Sequence, residues 1–131
     1  MERRRTSVAF LDTHIAVWLY DSLINKLSDH AASIIETCEL NISPMVMLEL
    51  QYLYEIKRIT VKPKTLIHYL ETKLDLRKDE TDFSKVIDEA MSFIWTRDPF
   101  DRIIVAHAKC RQAYLVTADQ SIHSHYPLAV I

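Results

Sequence analysis

A chain of 131 residues, 49% hydrophobic and 26% charged, has the size and composition of one domain with a single core. Its net charge of −2 gives no global attraction to nucleic acid or membrane, so any phosphate-binding surface has to be local. Glycine is absent altogether, which excludes a Walker phosphate loop, a dinucleotide glycine fingerprint and a glycine-built nucleophile elbow.

Residues 1–6 form a basic arm containing Arg3, Arg4 and Arg5. Residues 7–11 read as a short buried strand ending at Asp12, too brief for a signal-peptide core. A helix over 13–20 gathers Ile15, Trp18 and Leu19 on one side, and a polar turn covers 21–27. Ser28 or Asp29 caps a helix to about Glu39, and 40–42 is a second strand. Ser43 caps the next helix, with Pro44 at its first position, and that helix runs to about Arg58. Another helix opens at Lys62, Pro63 and Lys64 and runs to about Lys73, before a weak third strand at 74–76 and a charged turn at 77–82. Helical periodicity returns over 83–94, and a helix capped by Asp98 reaches about Gln112. A strand at 113–117 stops at Ala118 and Asp119, a turn carries His123 and His125, and 127–131 is a closing edge strand. Without glycine, helices are expected to end through Asn, His or proline-flanked turns. Cys38 and Cys110 lack disulfide-scaffold or metal-site spacing and read as core; with no membrane-length apolar run, the expected compartment is the cytoplasm.

Two acids stand in the wrong surroundings. Asp98 and Pro99 start a helix clearly, but Ile103, Ile104, Val105, Ala106 and Ala108 make it apolar nearly all round, so it should be buried. Asp101 shares a face with Ile104, Val105 and Ala108, and a carboxylate there rises in pKa, pairs with a base or binds a cation, unless it only caps the helix. Glu49 lies among Met45, Val46, Tyr52 and Leu53 with no base at helical spacing; a tyrosine hydroxyl bonded to a neutral Glu is the simpler alternative.

Alternating strands and helices imply a parallel sheet covered on both faces, with ligands at the carboxyl ends of the strands. Asp12 and Asp119 occupy two such ends, and Glu49 and Asp101 begin helices near them. Four carboxylates on one rim repel unless a cation is present, and hard oxygen donors select Mg²⁺ or Mn²⁺ over zinc.

The segments Phe10-Leu11-Asp12-Thr13-His14, Ile42-Ser43-Pro44 through Glu49, Arg97-Asp98-Pro99-Phe100-Asp101-Arg102 and Leu115-Val116-Thr117-Ala118-Asp119 occur in an order that resembles the PIN domain. Within that family they look like the VapC-type ribonuclease toxins of bacterial toxin–antitoxin pairs. The resemblance spans nearly the whole chain and implies a single PIN-like domain over 1–131, a three-layer α/β/α sandwich on a short parallel sheet. It implies that Asp12, Glu49, Asp101 and Asp119 are the acidic quartet, that Thr117 orients the fourth acid, and that Asp98 is an extra acid used mainly as a cap.

The implied activity is hydrolysis of RNA phosphodiesters with Mg²⁺ or Mn²⁺, held by Asp12, Asp101 and Asp119 while Glu49 completes the shell or takes a proton from water. Arg97, Arg102, Lys109, Arg111 and the Arg3 to Arg5 cluster are the candidate phosphate contacts, and His14 and His107 are placed to meet substrate. His123 and His125 form an isolated His-x-His pair that reads as turn chemistry rather than a metal site. A toxin-like domain also implies an antitoxin protein and a homodimer, with helices at 45–56 and 66–70 offering apolar surface. Two rivals are a phospho-acceptor domain, disfavoured by a single acid after the first strand and no lysine beyond Lys109, and a PIN-like module that binds RNA or protein without cutting.

Overall fold

The computed structural model describes residues 7–131, so the arm at 1–6 with Arg3, Arg4 and Arg5 lies outside the described residues. Strands β1 (Val8–Leu11), β2 (Glu39–Ile42), β3 (Arg77–Lys78), β4 (Tyr114–Val116) and β5 (Ala129–Val130) form one sheet in the order β3-β2-β1-β4-β5. Every pairing is parallel. β1 is central, and Ala9, Phe10 and Leu11 are all fully buried. A strand buried on both faces cannot alternate apolar with polar, which is why it reads as an unbroken apolar run.

The covering helices are α1 (Thr13–Tyr20), α2 (Asp29–Thr37), α3 (Pro44–Glu55), α4 (Pro63–Leu74), α5 (Phe83–Ala90), α6 (Pro99–Cys110) and α7 (Gln120–His125). α1, α3 and α4 pack together, α5 lies along α6, and α3 joins the two groups by also packing on α6. The expected α/β sandwich is therefore present. Among the described residues no helix is long and apolar enough to cross a membrane.

Several elements depart from the sequence reading. The third strand lies at Arg77–Lys78, not at 74–76, because Leu74 completes α4 and the chain reverses at Asp75. Both residues of β3 are exposed; a charged edge strand discourages further pairing and carries no apolar signal. α5 stops at Ala90 rather than continuing to 94, with Ser92 Oγ donating to the Glu89 carbonyl at 2.7 Å and Ile94 left 87% exposed. The segment holding His123 and His125 is helix α7, not a turn, and a 3-10 turn at Ile24–Lys26 interrupts the polar segment before α2. Cys38 is buried as expected, but Cys110 at the end of α6 is half-buried; both are free thiols.

Helix ends are resolved without glycine: α7 stops just before a turn at Pro127, as expected, but α1, α3, α4 and α6 use neither Asn, His nor proline. Ser22, Lys57, Asp75 and Gln112 take left-handed backbone conformations with φ of 59°, 64°, 56° and 51°. After α3, Lys57 N–H donates to the Tyr54 carbonyl at 3.1 Å and Arg58 N–H to that of Leu53 at 2.8 Å, the paired bonds of a Schellman motif. Gln112 and Ala113 repeat it after α6, reaching Lys109 and Ala108, each at 2.9 Å. The left-handed conformation costs a side chain with a Cβ about 1–2 kcal/mol. Lys57→Gly is therefore expected to raise the urea midpoint, by a net of about 0.5–1 kcal/mol with an unchanged m-value; a lowered midpoint would show that the Lys57 side chain contributes more than its strained backbone costs.

Candidate metal centre

The site is built where strand order reverses on either side of β1, at the carboxyl ends of β1 and β4. Asp12 N–H donates to the Val116 carbonyl at 3.0 Å, so the chain turns upward into α1 while still tied to β4. The Asp12 carboxylate is held at both oxygens: Thr13 N–H reaches Oδ1 at 2.8 Å, and Thr117 Oγ1 donates to Oδ2 at 2.6 Å. Thr117 also accepts from Asp119 N–H at 3.1 Å. One buried hydroxyl thus fixes both strand-end acids relative to each other.

Glu49 projects from the second turn of α3, half-buried, and its Oε1 accepts a hydrogen bond from Thr13 Oγ1 at 2.5 Å. Its partner is a threonine beside Asp12, not a tyrosine. The sequence reading passed over Thr13, although a fully buried threonine directly after a strand-end acid needs a partner for its hydroxyl.

Asp98 caps α6 as expected, its Oδ1 accepting from Phe100 N–H at 2.9 Å and Asp101 N–H at 3.4 Å. Asp119 likewise caps α7, accepting from Ile122 N–H at 3.1 Å. Asp101 differs from both. It is half-buried, and among the described residues no donor reaches its carboxylate. Burial, then the charges of Asp98, Asp12, Asp119 and Glu49, push its pKa up to about 7. Burial also raises Asp12, against the pull of Thr117 and Thr13, and raises Glu49 against the pull of Thr13. Acids on β1, α3, α6 and beyond β4 are therefore close enough to disfavour one another's ionisation.

Such a set suits a hard divalent cation. The donors are carboxylate oxygens alone, and the repulsion that raises Asp101 is what a bound cation would relieve. The arrangement is open: among the described residues no three acidic, histidine or cysteine side chains stand close enough to grip one ion together. A cation would accordingly need water to complete its shell, as Mg²⁺ commonly does.

The remaining candidates divide. His14 is exposed, and its charge favours the ionised forms of Asp12 and Glu49. His107 is only 3% exposed and cannot meet substrate; it lies against Ser43, and burial lowers its pKa against the opposing pulls of Asp79 and the Ile103 carbonyl. His123 Nε2 lies 2.6 Å from the Thr117 carbonyl, whereas the His125 ring stacks on Trp95 with centroids 4.7 Å apart. Arg102 donates to the Ala90 and Met91 carbonyls, Lys109 pairs with Glu89 at 2.8 Å, and Arg111 pairs with Asp79 and Glu39. Lys109 and Arg111 also sit at the far end of twelve-residue α6, about 18 Å from its acidic start. Arg97, next to the Asp98 cap, is exposed and makes no ion pair among the described residues.

Fold and site together define a parallel α/β domain whose strand-order reversal carries an acidic rim. The family profile of the PIN domain matches residues 9–126, and the chain belongs to that family. Similar solved structures include VapBC2 from Rickettsia felis bound to a DNA fragment from their promoter, at 18% identity and a TM-score of 0.66, covering 95% of this chain and 97% of that one. A toxin-antitoxin complex from Klebsiella pneumoniae aligns at 16% identity and a TM-score of 0.64, covering 94% and 96%. DNA-bound VapBC from Salmonella typhimurium aligns at 18% and 0.59, covering 96% and 97%. Among curated proteins none matches the sequence.

Asp101 supplies a test that needs no activity. With a folded pKa of about 7 against an ordinary 3.8, the folded chain keeps a proton that the unfolded chain has released between those values. Its contribution is therefore fully favourable below about pH 4 and is lost as pH rises through about 7. In metal-free protein, Asp101→Asn is expected to remove this loss, so that its melting temperature gains on wild type as pH rises across that window. Parallel melting curves would show that Asp101 ionises freely and faces no acidic cluster.

Proposed function

We propose that this chain is a Mg²⁺- or Mn²⁺-dependent endoribonuclease, acting as the toxin of a toxin–antitoxin pair. The observation that carries the reading is the Asp101 carboxylate, half-buried, with no donor among the described residues and faced by four other acids, whose ionised form calls for a cation. Asp12, Asp101 and Asp119 would hold that cation, with water completing its shell. A bound divalent ion supplies charge neutralisation at the scissile phosphate and a water of lowered pKa.

The chain's own groups do the rest. Thr13 occupies Oε1 of Glu49, which leaves Oε2 to complete the shell or accept the proton of an attacking water. Thr117 keeps the Asp12 carboxylate in place, and Asp98 anchors the start of α6 so that Asp101 faces the rim. Arg97 is the arginine best placed to meet the RNA backbone, since Arg102, Lys109 and Arg111 are engaged within the fold. The substrate is single-stranded or looped RNA, whose backbone can be drawn into the rim. A cytoplasmic setting agrees with the free Cys38 and Cys110 thiols.

The partner assignment draws on the similar toxin–antitoxin structures and on two apolar surfaces. Of the residues at 66–70, Leu66, Ile67 and Leu70 are core, so α4 offers only Tyr69. α3 offers Leu48, Tyr52 and Ile56, 57%, 49% and 45% exposed and four residues apart along one stripe. We assign this stripe to a second copy of the chain. The antitoxin is assigned to the cleft of about 310 Å³ between α1, α2 and α4, lined by Leu19, Ile24, Leu27, Ile35, Tyr69 and Leu74.

With Mn²⁺ and a pool of structured RNAs, the purified chain is expected to cut, EDTA to abolish cutting, and Asp101→Asn or Glu49→Gln to slow it at least about a hundredfold. Cleavage that survives Asp101→Asn would remove the rim from the chemistry. Absence of both cleavage and Mn²⁺ binding would leave an RNA- or protein-binding module instead. In solution the chain is expected to run as a dimer that Tyr52→Glu converts to monomer in light scattering; a wild-type monomer would refute the α3 assignment.

A further inference from the structure

α6 carries, besides Asp101, a buried histidine for which the proposed chemistry has no use. His107 Nδ1 lies 2.8 Å from Ser43 Oγ, and both residues are buried. Ser43 is the cap of α3, its Oγ accepting from Met45 N–H at 3.1 Å while it also bonds the ring. The opposite ring nitrogen, Nε2, faces Asp79 Oδ2 at 3.9 Å, and the ring face lies toward Phe10 of β1 with centroids 6.3 Å apart. Asp79 is fixed in turn by Thr81 N–H at 3.0 Å and by Arg111. From its place on α6, one side chain therefore touches the start of α3, the central strand and the residue that follows β3.

We propose that His107 is a positioning residue for the acidic rim: by holding the Ser43 cap it sets where α3 presents Glu49 relative to Asp101 on α6. This rests on the metal-centre reading above. Glu49 lies six residues beyond Ser43 and Asp101 six residues before His107, each about 9 Å along its helix from the shared hydrogen bond. A swing of about 5° at the cap would move a group at that distance by about 0.8 Å. That exceeds the roughly 0.2 Å within which metal–ligand distances are held. Ordinary core packing would also bury a histidine here, but it would not require the imidazole to reach the cap of the helix that carries Glu49.

The test titrates Mn²⁺ alone into the protein and follows free Mn²⁺ by electron paramagnetic resonance. His107→Leu fills the space without the hydrogen bond, His107→Gln keeps a polar group within reach of Ser43, and Ile34→Ala lowers stability at a core position on α2, which carries none of the acids. His107→Leu is expected to weaken Mn²⁺ binding at least about tenfold, the loss usual when a group orienting a ligand is removed. His107→Gln should retain most of the binding, and Ile34→Ala should bind as wild type although it melts lower. Should His107→Leu fail to fold, His107→Phe places a flat ring in the same space that cannot bond Ser43, keeps the α3 cap intact and carries the same expectation. Equal binding by wild type and the folded bond-deleting variant overturns the positioning role alone. Equal weakening in Ile34→Ala overturns it too, by reducing it to general stability. A wild-type chain that binds no Mn²⁺ overturns the metal reading and this inference with it.

Discussion

Mutual repulsion among carboxylates at the end of β1 is the constraint around which the fold is arranged. Acids brought this close in partly dry surroundings either move apart or take up protons, and Asp101 shows the second response. Moving apart is prevented by the framework. The bond from Asp12 N–H to the Val116 carbonyl locks the β1 end to β4, and the Thr117 hydroxyl bridges Asp12 and Asp119 across the same seam. Three of the acids also cap helices, Asp12 on α1, Asp98 on α6 and Asp119 on α7, where the positive ends of the helix dipoles favour negative charge.

Hydroxyl side chains do the positioning that charged partners usually do. Thr13, Ser43 and Thr117 are fully buried, and each lies one residue beyond an acid or a strand that it serves. A hydroxyl can donate to one group and accept from another, so it joins two elements without adding charge. Thr117 does this between Asp12 and the Asp119 backbone, and the Ser43 hydroxyl likewise joins the His107 ring to the Met45 backbone. A lysine or arginine in the same places would neutralise the rim and relieve the repulsion among its acids.

Much of this was legible in the sequence because the informative residues act locally. Asp98 with Pro99, and Ser43 with Pro44, announce helix starts through capping chemistry that needs no tertiary context. The unbroken apolar runs of β1 and α6 announce burial, and an acid inside such a run stands out. What stayed hidden depends on partners distant in sequence. Thr13 meets Glu49 across 36 residues, Ser43 meets His107 across 64, and Thr117 meets Asp12 across 105. Arg111 looked like a surface charge because Asp79, its buried partner, sits in a stretch whose composition reads as a solvated turn. α7 was missed for another reason: Asp119 was read as a ligand only, although the same carboxylate caps a helix.

A chain without glycine also has an unusual unfolded ensemble. Every residue carries a Cβ or a ring, so the backbone wanders over a smaller range of conformations before folding and loses less entropy on being fixed. Ser22, Lys57, Asp75 and Gln112 surrender part of that advantage by holding left-handed geometry in the native state. Each of the four lies at or just beyond a helix end, where the neighbouring backbone bonds fix the reversal. The stiffness is spread over the whole unfolded chain, whereas among the described residues the left-handed strain is confined to four hinges that the folded backbone bonds hold in place.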